Sequence, residues 1–180
     1  MVRGAPPPPD LVSERLAFHR PTADDFEESA ALWGDPETVR YIGGTISSRE
    51  ESWARLLRNV GHWHVAGYGF WVVRDRESGR FAGEVGAKLF RRSLDAAWED
   101  MPEIGWVLAA WAHGRGLATE ATRATLNWGE NRFGWDETLC LIDPGNVASQ
   151  SVAAKCGFRE IARRVYKNDE VIVYRRRRGE

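Results

Sequence analysis

Lysine is scarce in this chain. It stands only at Lys88, Lys155 and Lys167, and arginine carries nearly all the positive charge; that bias reads as genome composition rather than function. Cysteine is scarcer still. Cys140 lies in an apolar run and Cys156 near the end of a predicted helix, with no C-x-x-C pair. The pattern speaks against a thiol metal site and fits reduced, buried thiols of a cytoplasmic protein. No apolar run approaches membrane-spanning length, and no signal-peptide pattern opens the chain. Neither sign of charge dominates: the formal net charge is −1. No strong field for nucleic acid or membrane is therefore expected. No internal repeat is visible. Pro6, Pro7, Pro8 and Pro9 bar helix and ladder alike, so residues 1–10 are expected as a loose extended tail. Residues 11–180 suffice for a single domain with a sizeable core.

Tryptophan, by contrast, is frequent. Trp63, Trp71, Trp106 and Trp128 fall in periodic segments and are read as core. A first strand is predicted over 16–20. Thr22 with Asp25 three residues on starts a helix reaching about Trp33. Asp35-Pro36 starts a second, short one, broken at Gly43-Gly44. Ser48 with Glu51 forms a capping box for a helix with Trp53, Leu56, Leu57 and Val60 on one face. Segments 69–74 and 81–89 read as a hairpin, and 103–108 as the next strand. A helix after residue 116 carries Leu117, Ala121, Ala124, Thr125 and Trp128 on its inward stripe. A short buried strand over 138–142 follows. Asn146 caps a helix that ends at Gly157. Two last strands, 159–165 and 171–176, flank a turn at Asn168-Asp169. The alternation is α/β with an antiparallel-rich sheet.

The most informative stretch is HGRGLATEA at 113–121, between the strand EIGWVL and the long helix. Gly114 and Gly116 sit where strand must turn into helix. A loop without Cβ bulk at a helix N-terminus exposes backbone N–H groups and the positive end of the macrodipole, an anion site suited to phosphate or pyrophosphate. One reading is a dinucleotide fingerprint, G-x-G-x-x-G, with Thr119 in the third glycine's place. The other draws on the segment NVASQSVAAKCGF at 146–158.

Taken together, these motifs resemble the GNAT superfamily of acyl-CoA N-acyltransferases. The pyrophosphate loop Q/R-x-x-G-x-G/A is met by His113-Gly114-Arg115-Gly116-Leu117-Ala118, with His at the first position. The second half is similar to the branch of Rim-type N-terminal acetyltransferases. Glu103-Ile104-Gly105, Gly114 to Ala121, Asn146, Ser149 and Lys155-Cys156-Gly157-Phe158 fill that branch's strand, loop and helix motifs. The likeness spans about residues 11–176. It implies a mixed, largely antiparallel sheet of about seven strands, splayed in the middle and flanked by about four helices. It implies acetyl-CoA as cosubstrate, held by His113, Gly114, Arg115, Gly116, Leu117, Ala118 and Thr119 at the pyrophosphate. The pantetheine arm would lie along Trp106, Val107 and Leu108, with a backbone N–H near Val107 or Leu108 facing the thioester oxygen. Asn146 would touch the same arm, and Ser149 the departing sulfur. A local helix-start hydrogen bond stands as the alternative for Ser149.

Acyl transfer to an amine needs the amine neutral. A peptide α-amine (pKa ~7.7–8.0) needs little help and a lysine amine (~10.4) more. Glu103, at the start of the splayed strand, is the favoured base, directly or through a water. Glu84, expected to face solvent, Glu120, suited to the helix dipole, and Asp143 are the other candidates. His62 and His64 would share a strand face but lack a third ligand, so no metal is expected. Arg175 to Arg178 read as a solvated tail. By the same likeness, the segment around 41–46 and the turn at 167–170 flank the acceptor side. The expected function is acetyl transfer to a primary amine, with a protein N-terminal α-amine as leading acceptor. A small amine (polyamine or aminoglycoside) and a non-catalytic acyl-CoA binder are the alternatives. No nucleic-acid or membrane partner is expected, and the chain is expected as monomer or homodimer.

Overall fold

The structure is a computed structural model that describes residues 10–179. Eight strands form one sheet: β1 (Leu11–Val12), β2 (Leu16–His19), β3 (Phe70–Asp75), β4 (Phe81–Lys88), β5 (Glu103–Leu108), β6 (Glu137–Ile142), β7 (Arg159–Tyr166) and β8 (Asp169–Arg177). Their order is β1-β2-β3-β4-β5-β6-β8-β7. Neighbours are antiparallel except the central pair β5 and β6, which is parallel. Five α-helices surround it: α1 (Phe26–Trp33), α2 (Pro36–Val39), α3 (Arg49–Ala66), α4 (Leu117–Phe133) and α5 (Val147–Lys155). The expected α/β architecture is present. It has eight strands rather than about seven, because two-residue β1 adds an edge, and five helices rather than about four, one of them the single-turn α2.

Of the expected tail, residues 1–9 lie outside the described residues. Asp10 belongs to the fold: its N–H donates to the Phe18 carbonyl (2.8 Å), and its Oδ2 accepts from the Arg20 N–H (3.2 Å).

Local chemistry sets the element ends. The Glu51 N–H donates to Ser48 Oγ (3.2 Å) and the Ser48 N–H to Glu51 Oε2 (2.7 Å), a reciprocal cap that starts α3. The α5 end is a Schellman motif. The Phe158 N–H reaches the Ala153 carbonyl (3.0 Å) and the Gly157 N–H that of Ala154 (3.1 Å), with Gly157 at φ 85°. The β7–β8 turn falls one residue earlier than expected. Lys167 (φ 53°) and Asn168 (φ 73°) form it, the paired positive φ angles of a two-residue hairpin loop.

The larger core cluster joins Trp71, Val85, Ala87 and Ile104 of the sheet to Leu117, Ala121 and Leu126 of α4. A smaller one sets Leu32, Trp33 and Val39 over Val72, Phe81 and Val107. Trp63 and Trp71 are buried, while Trp106 and Trp128 are part-buried against the same core. The expected stripe of α3 is corrected. Leu56 is buried, but Trp53, Leu57 and Val60 are exposed, and the inward line is Ser52, Leu56, Asn59 and Trp63. Of its two polar members, Asn59 lines a cleft. His62 and His64 lie in this helix, not on a strand. His62 donates from Nδ1 to the Tyr68 carbonyl (2.6 Å) and accepts at Nε2 from the Leu89 N–H (3.1 Å). Burial lowers its pKa, so it serves as a neutral clasp between α3 and the sheet.

Arg175, Arg176 and Arg177 are part of β8 rather than a tail, and with Arg178 they face acids. Arg177 pairs with Glu137 at 2.6 Å, Arg175 with Glu137 at 3.7 Å, and Arg176 and Arg178 with Glu130.

Candidate active site

Three features converge around β5. The first is a seam in the sheet. The register of β5 with β6 consists of one pair, Glu103 with Leu139, and the Leu139 N–H donates to the Pro102 carbonyl (3.0 Å). On the other side the Ala109 N–H donates to the Ala82 carbonyl (2.9 Å). Peptide groups alternate sides along a strand. The Trp106 and Leu108 amides therefore point into the seam, and the Val107 amide points to its partner Glu84 on β4. This is the central splay expected of the sheet.

The second feature is the loop before α4. Gly114 and Gly116 hold φ of 70° and 75°, and a Cβ on Gly114 would meet nothing within 4 Å. Glycine is needed there for backbone conformation, not for packing. Gly116 is the N-cap residue of α4 and makes no side-chain cap, so the N–H groups of Leu117, Ala118 and Thr119 begin the helix facing outward. His113 donates from Nε2 to the Leu108 carbonyl (2.8 Å), fastening the loop to the end of β5. Glu120 does not face the seam. It accepts from Ser13 Oγ (2.7 Å) and the Arg15 N–H (2.8 Å) and pairs with the Arg15 guanidinium (2.7 Å). Arg15 in turn donates to the Arg115 carbonyl (2.9 Å), so Glu120 braces the loop.

The third is the start of α5. Asn146 Oδ1 accepts from the Ser149 N–H (3.0 Å), the expected cap. The Ser149 hydroxyl is left out of that cap. Its oxygen accepts from the Trp106 indole N–H (3.2 Å), which leaves the hydroxyl hydrogen free to donate.

Beside the seam lies a cleft of about 270 Å³. Trp106, Val107, Asn146, Ser149 and Glu103 line it; Leu108, the last residue of β5, does not, nor do His113, Gly114, Arg115, Gly116, Leu117, Ala118 and Thr119, which follow that strand. Tyr41 and Ile42, from the segment after α2, also line it, whereas the turn after Tyr166 does not. Its carboxylates are all engaged. Glu103 accepts from Arg92 through both oxygens (2.7 and 2.8 Å). Glu84 is not solvent-facing as expected but 2% exposed, accepting from Ser29 Oγ (2.6 Å) and Trp33 Nε1 (3.1 Å) of α1. Asp143 Oδ1 accepts from the Gly145 N–H (2.7 Å). Arg92 also lies over the Tyr166 ring at 4.6 Å. Cys140 and Cys156 are free and buried, and burial pushes both thiols up, that of Cys156 to about 11. They are inert at neutral pH.

Arg55, Asn59 and Lys88 were not legible as cleft residues. Lys88 stands two residues from Gly86 and four from Glu84, so period-2 alternation put them on one face. Nothing local to 55–59 shows that α3 lies across that face.

An Acetyltransferase (GNAT) domain model matches residues 15–159. YkkB, an uncharacterized protein of Bacillus subtilis (strain 168), is 32% identical in an alignment of 173 residues that covers 93% of this chain and 95% of that one. A solved protein from Bordetella pertussis, proposed to be a GNAT-family acetyltransferase, superposes with a TM-score of 0.82 at 26% identity, over 92% of this chain and 98% of its own. Two further solved structures are alike in fold alone. RimL, a ribosomal L7/L12 α-N-protein acetyltransferase in complex with coenzyme A, has a TM-score of 0.73 at 18% identity, over 92% and 96% of the chains. A spermidine N-acetyltransferase from Vibrio cholerae, in complex with CoA and spermine, has 0.73 at 16%, over 91% and 95%. The chain belongs to the GNAT acetyltransferase family. It is an acyl-CoA-dependent acetyltransferase with acetyl-CoA as acyl donor, and the dinucleotide alternative falls. Among the described residues no group of three or more His, Cys, Asp or Glu is placed to hold a metal, and no helix is long and apolar enough to cross a membrane.

Proposed function

We propose that the chain acetylates an α-amine, and that the amine enters from the cleft while acetyl-CoA lies along the seam. The observation that carries this reading is the state of the cleft carboxylates. Glu84, Glu103 and Asp143 each already accept hydrogen bonds from the protein. Such a site holds no strong free base. It suits an amine of pKa ~7.7–8.0, a fair share of which is neutral near pH 7.5, better than one of ~10.4. Glu103 acts as the weak base. A carboxylate has about four lone-pair positions, so it can take the amine's hydrogen, directly or through a water, while Arg92 holds it in place. Two cations in the cleft, Arg55 and Lys88, also weigh against a polyamine or an aminoglycoside.

The remaining residues divide the work. Backbone N–H groups from Gly114 to Thr119 hold the pyrophosphate at the positive end of α4, and His113 and Arg115 frame that loop. The arm of the coenzyme lies against the edge of Trp106 and Leu108, with Asn146 near it and Val107 forming the cleft wall. The Leu108 amide, which faces the seam, is the donor suited to the thioester oxygen. Ser149 offers its free hydroxyl hydrogen to the sulfur. The thioester supplies an electrophilic carbonyl and a thiol that leaves readily as thiolate.

Incubation with acetyl-CoA and an acceptor panel, read by mass spectrometry, tests the proposal. The panel holds dipeptides and longer peptides with free N-termini, an N-blocked lysine peptide, spermidine and an aminoglycoside. One added acetyl group on α-amines, with little on the lysine peptide or the polycations, is expected. A preference for polycations would overturn the acceptor assignment.

A further inference from the structure

We infer that Arg55 and Lys88 form a subsite for an anionic group on the acceptor, a carboxylate carried a few bonds from the amine that is acetylated. The inference rests on the α-amine reading above and names what else the acceptor carries.

Arg55 and Asn59 stand one helical turn apart on α3, and both line the cleft. The Arg55 guanidinium stacks on the Trp33 ring, its Cζ 3.7 Å from the centroid. Its Nη2 reaches only Ser47 Oγ, at 3.5 Å, and its Nε is buried with no hydrogen-bond partner. Lys88 ends β4 in the same space. Its ammonium donates to Asn59 Oδ1 and lies 5.4 Å from the Phe70 ring centroid and 5.9 Å from that of Phe90. Burial pulls the Lys88 pKa down to about 8 and lowers that of Arg55. Arg58, one turn along α3, adds to the same positive field.

The third cation of the cleft makes the contrast. Arg92 is clamped by Glu103 through both oxygens. Among the described residues no carboxylate lies within ion-pair distance of Arg55 or Lys88. Glu84 is the one acid whose charge reaches both, and its oxygens already accept from Ser29 and Trp33. Glu51 adds to the field at Arg55 alone, so neither desolvated cation has a carboxylate in direct contact. Buried charge is costly unless paired and hydrogen-bonded. Here Arg55 and Lys88, each with donor capacity to spare, line the same cleft, where a ligand carboxylate supplies the missing partner. The register places this pair close to the reaction. Lys88 is opposite Glu103, and Gly86 is opposite Gly105, on the neighbouring strands. An amine at Glu103 and a carboxylate at Lys88 thus belong to one small molecule or one peptide end. Trp33 and Phe70 add flat, apolar walls to the same cleft.

The carboxylate can come from the C-terminus of a dipeptide or from an acidic residue at a peptide N-terminus. Two matched pairs separate these sources: a dipeptide against its C-terminal amide, and a peptide beginning with Asp against one beginning with Asn. In at least one pair the carboxylate-bearing acceptor is expected to show a kcat/KM higher by about tenfold, and the pair that responds names the source. Arg55→Gln and Lys88→Gln should each bring that ratio toward one, through KM for the acceptor, with KM for acetyl-CoA unchanged. Lys88→Gln retains a donor for Asn59, so it keeps the test open where loss of the Trp33 stack disturbs folding.

A ratio of one in both wild-type pairs, with the amines still acetylated, overturns the subsite and leaves the α-amine reading intact. If no amine is acetylated, that reading fails on its own. Calorimetric titration with the N-acetylated dipeptide and the N-acetylated Asp peptide then decides the subsite without turnover. Binding of either that weakens about tenfold in Lys88→Gln upholds it. No binding of either to the wild type overturns it.

Discussion

At the scale of single residues, direction matters as much as distance. Because the Trp106 indole can only donate, Ser149 Oγ must accept from it, and the hydroxyl hydrogen has to point elsewhere. From the sequence alone, Ser149 could equally have spent its hydroxyl on the helix start; Asn146 takes that task instead. Gly116 is the position at which the coenzyme assignment is most exposed to test. Its φ of 75° lies in the left-handed region, and a Cβ there would come no nearer than 3.7 Å, to Arg15 Nη2. Gly116→Ala thus costs roughly 1–2 kcal/mol of backbone strain, with its Cβ in ordinary van der Waals contact. It also reshapes the N–H groups that follow. The expected result in calorimetry is a drop in coenzyme A affinity of more than about tenfold, with the far-UV spectrum retained. Unaltered affinity would remove the pyrophosphate from this loop.

At the scale of elements, α4 was well foreshadowed and α3 was not. The inward stripe of α4 was read from residues such as Leu117, Ala121 and Thr125, all buried. These are apolar or small and face an apolar sheet, so periodicity and burial agree. The inward line of α3 includes the polar Ser52 and Asn59, and Asn59 faces the cleft. A pattern rule that seeks apolar faces selects Trp53, Leu57 and Val60, which point outward. The loop and the α5 cap were legible because their signals are contiguous: glycines at a strand end, an asparagine before a helix. The Arg55, Asn59 and Lys88 set was not, since only tertiary packing brings α3 over β4. One tight packing point in α4 gives a stability test. A Cβ on Gly129 would overlap the Trp135 ring. Gly129→Ala should therefore destabilise by about 1–3 kcal/mol, seen as a lowered Tm, despite alanine's better helix propensity. An unchanged or raised Tm would mean that Trp135 moves aside readily.

For the whole molecule, acid stability turns on Asp25, which joins three elements. It is 3% exposed. It lies 3.2 Å from His19 Nε2 on β2, accepts from the Thr22 N–H (2.9 Å) through Oδ2, and pairs with Arg74 on β3 (3.0 Å). Burial alone would raise its pKa; the hydrogen bonds from His19 and Thr22, with the charge of His19 and the Arg74 contact, overcome that and bring it to about 2. A depressed folded-state pKa means stability that is complete above the unfolded value of 3.8 and lost as pH falls toward 2. The shift corresponds to about 2 kcal/mol. Denaturant titrations across that window should show the loss in the wild type. Asp25→Asn should be less stable at neutral pH and flatter between pH 4 and 2. Equal slopes for both proteins would assign acid sensitivity to other groups.

The seam between β5 and β6 has a mechanical consequence. Strands β1 to β5 form one continuous ladder and β6 to β8 another, and the register between them is the single pair of Glu103 and Leu139. Below that rung the halves are held by the side chains that α4 and α5 press against them. The molecule is in effect two small sheets sharing a hinge. A coenzyme lying in the opening would tie them into one cooperative unit, so that the acyl donor serves as a structural member as well as a reactant.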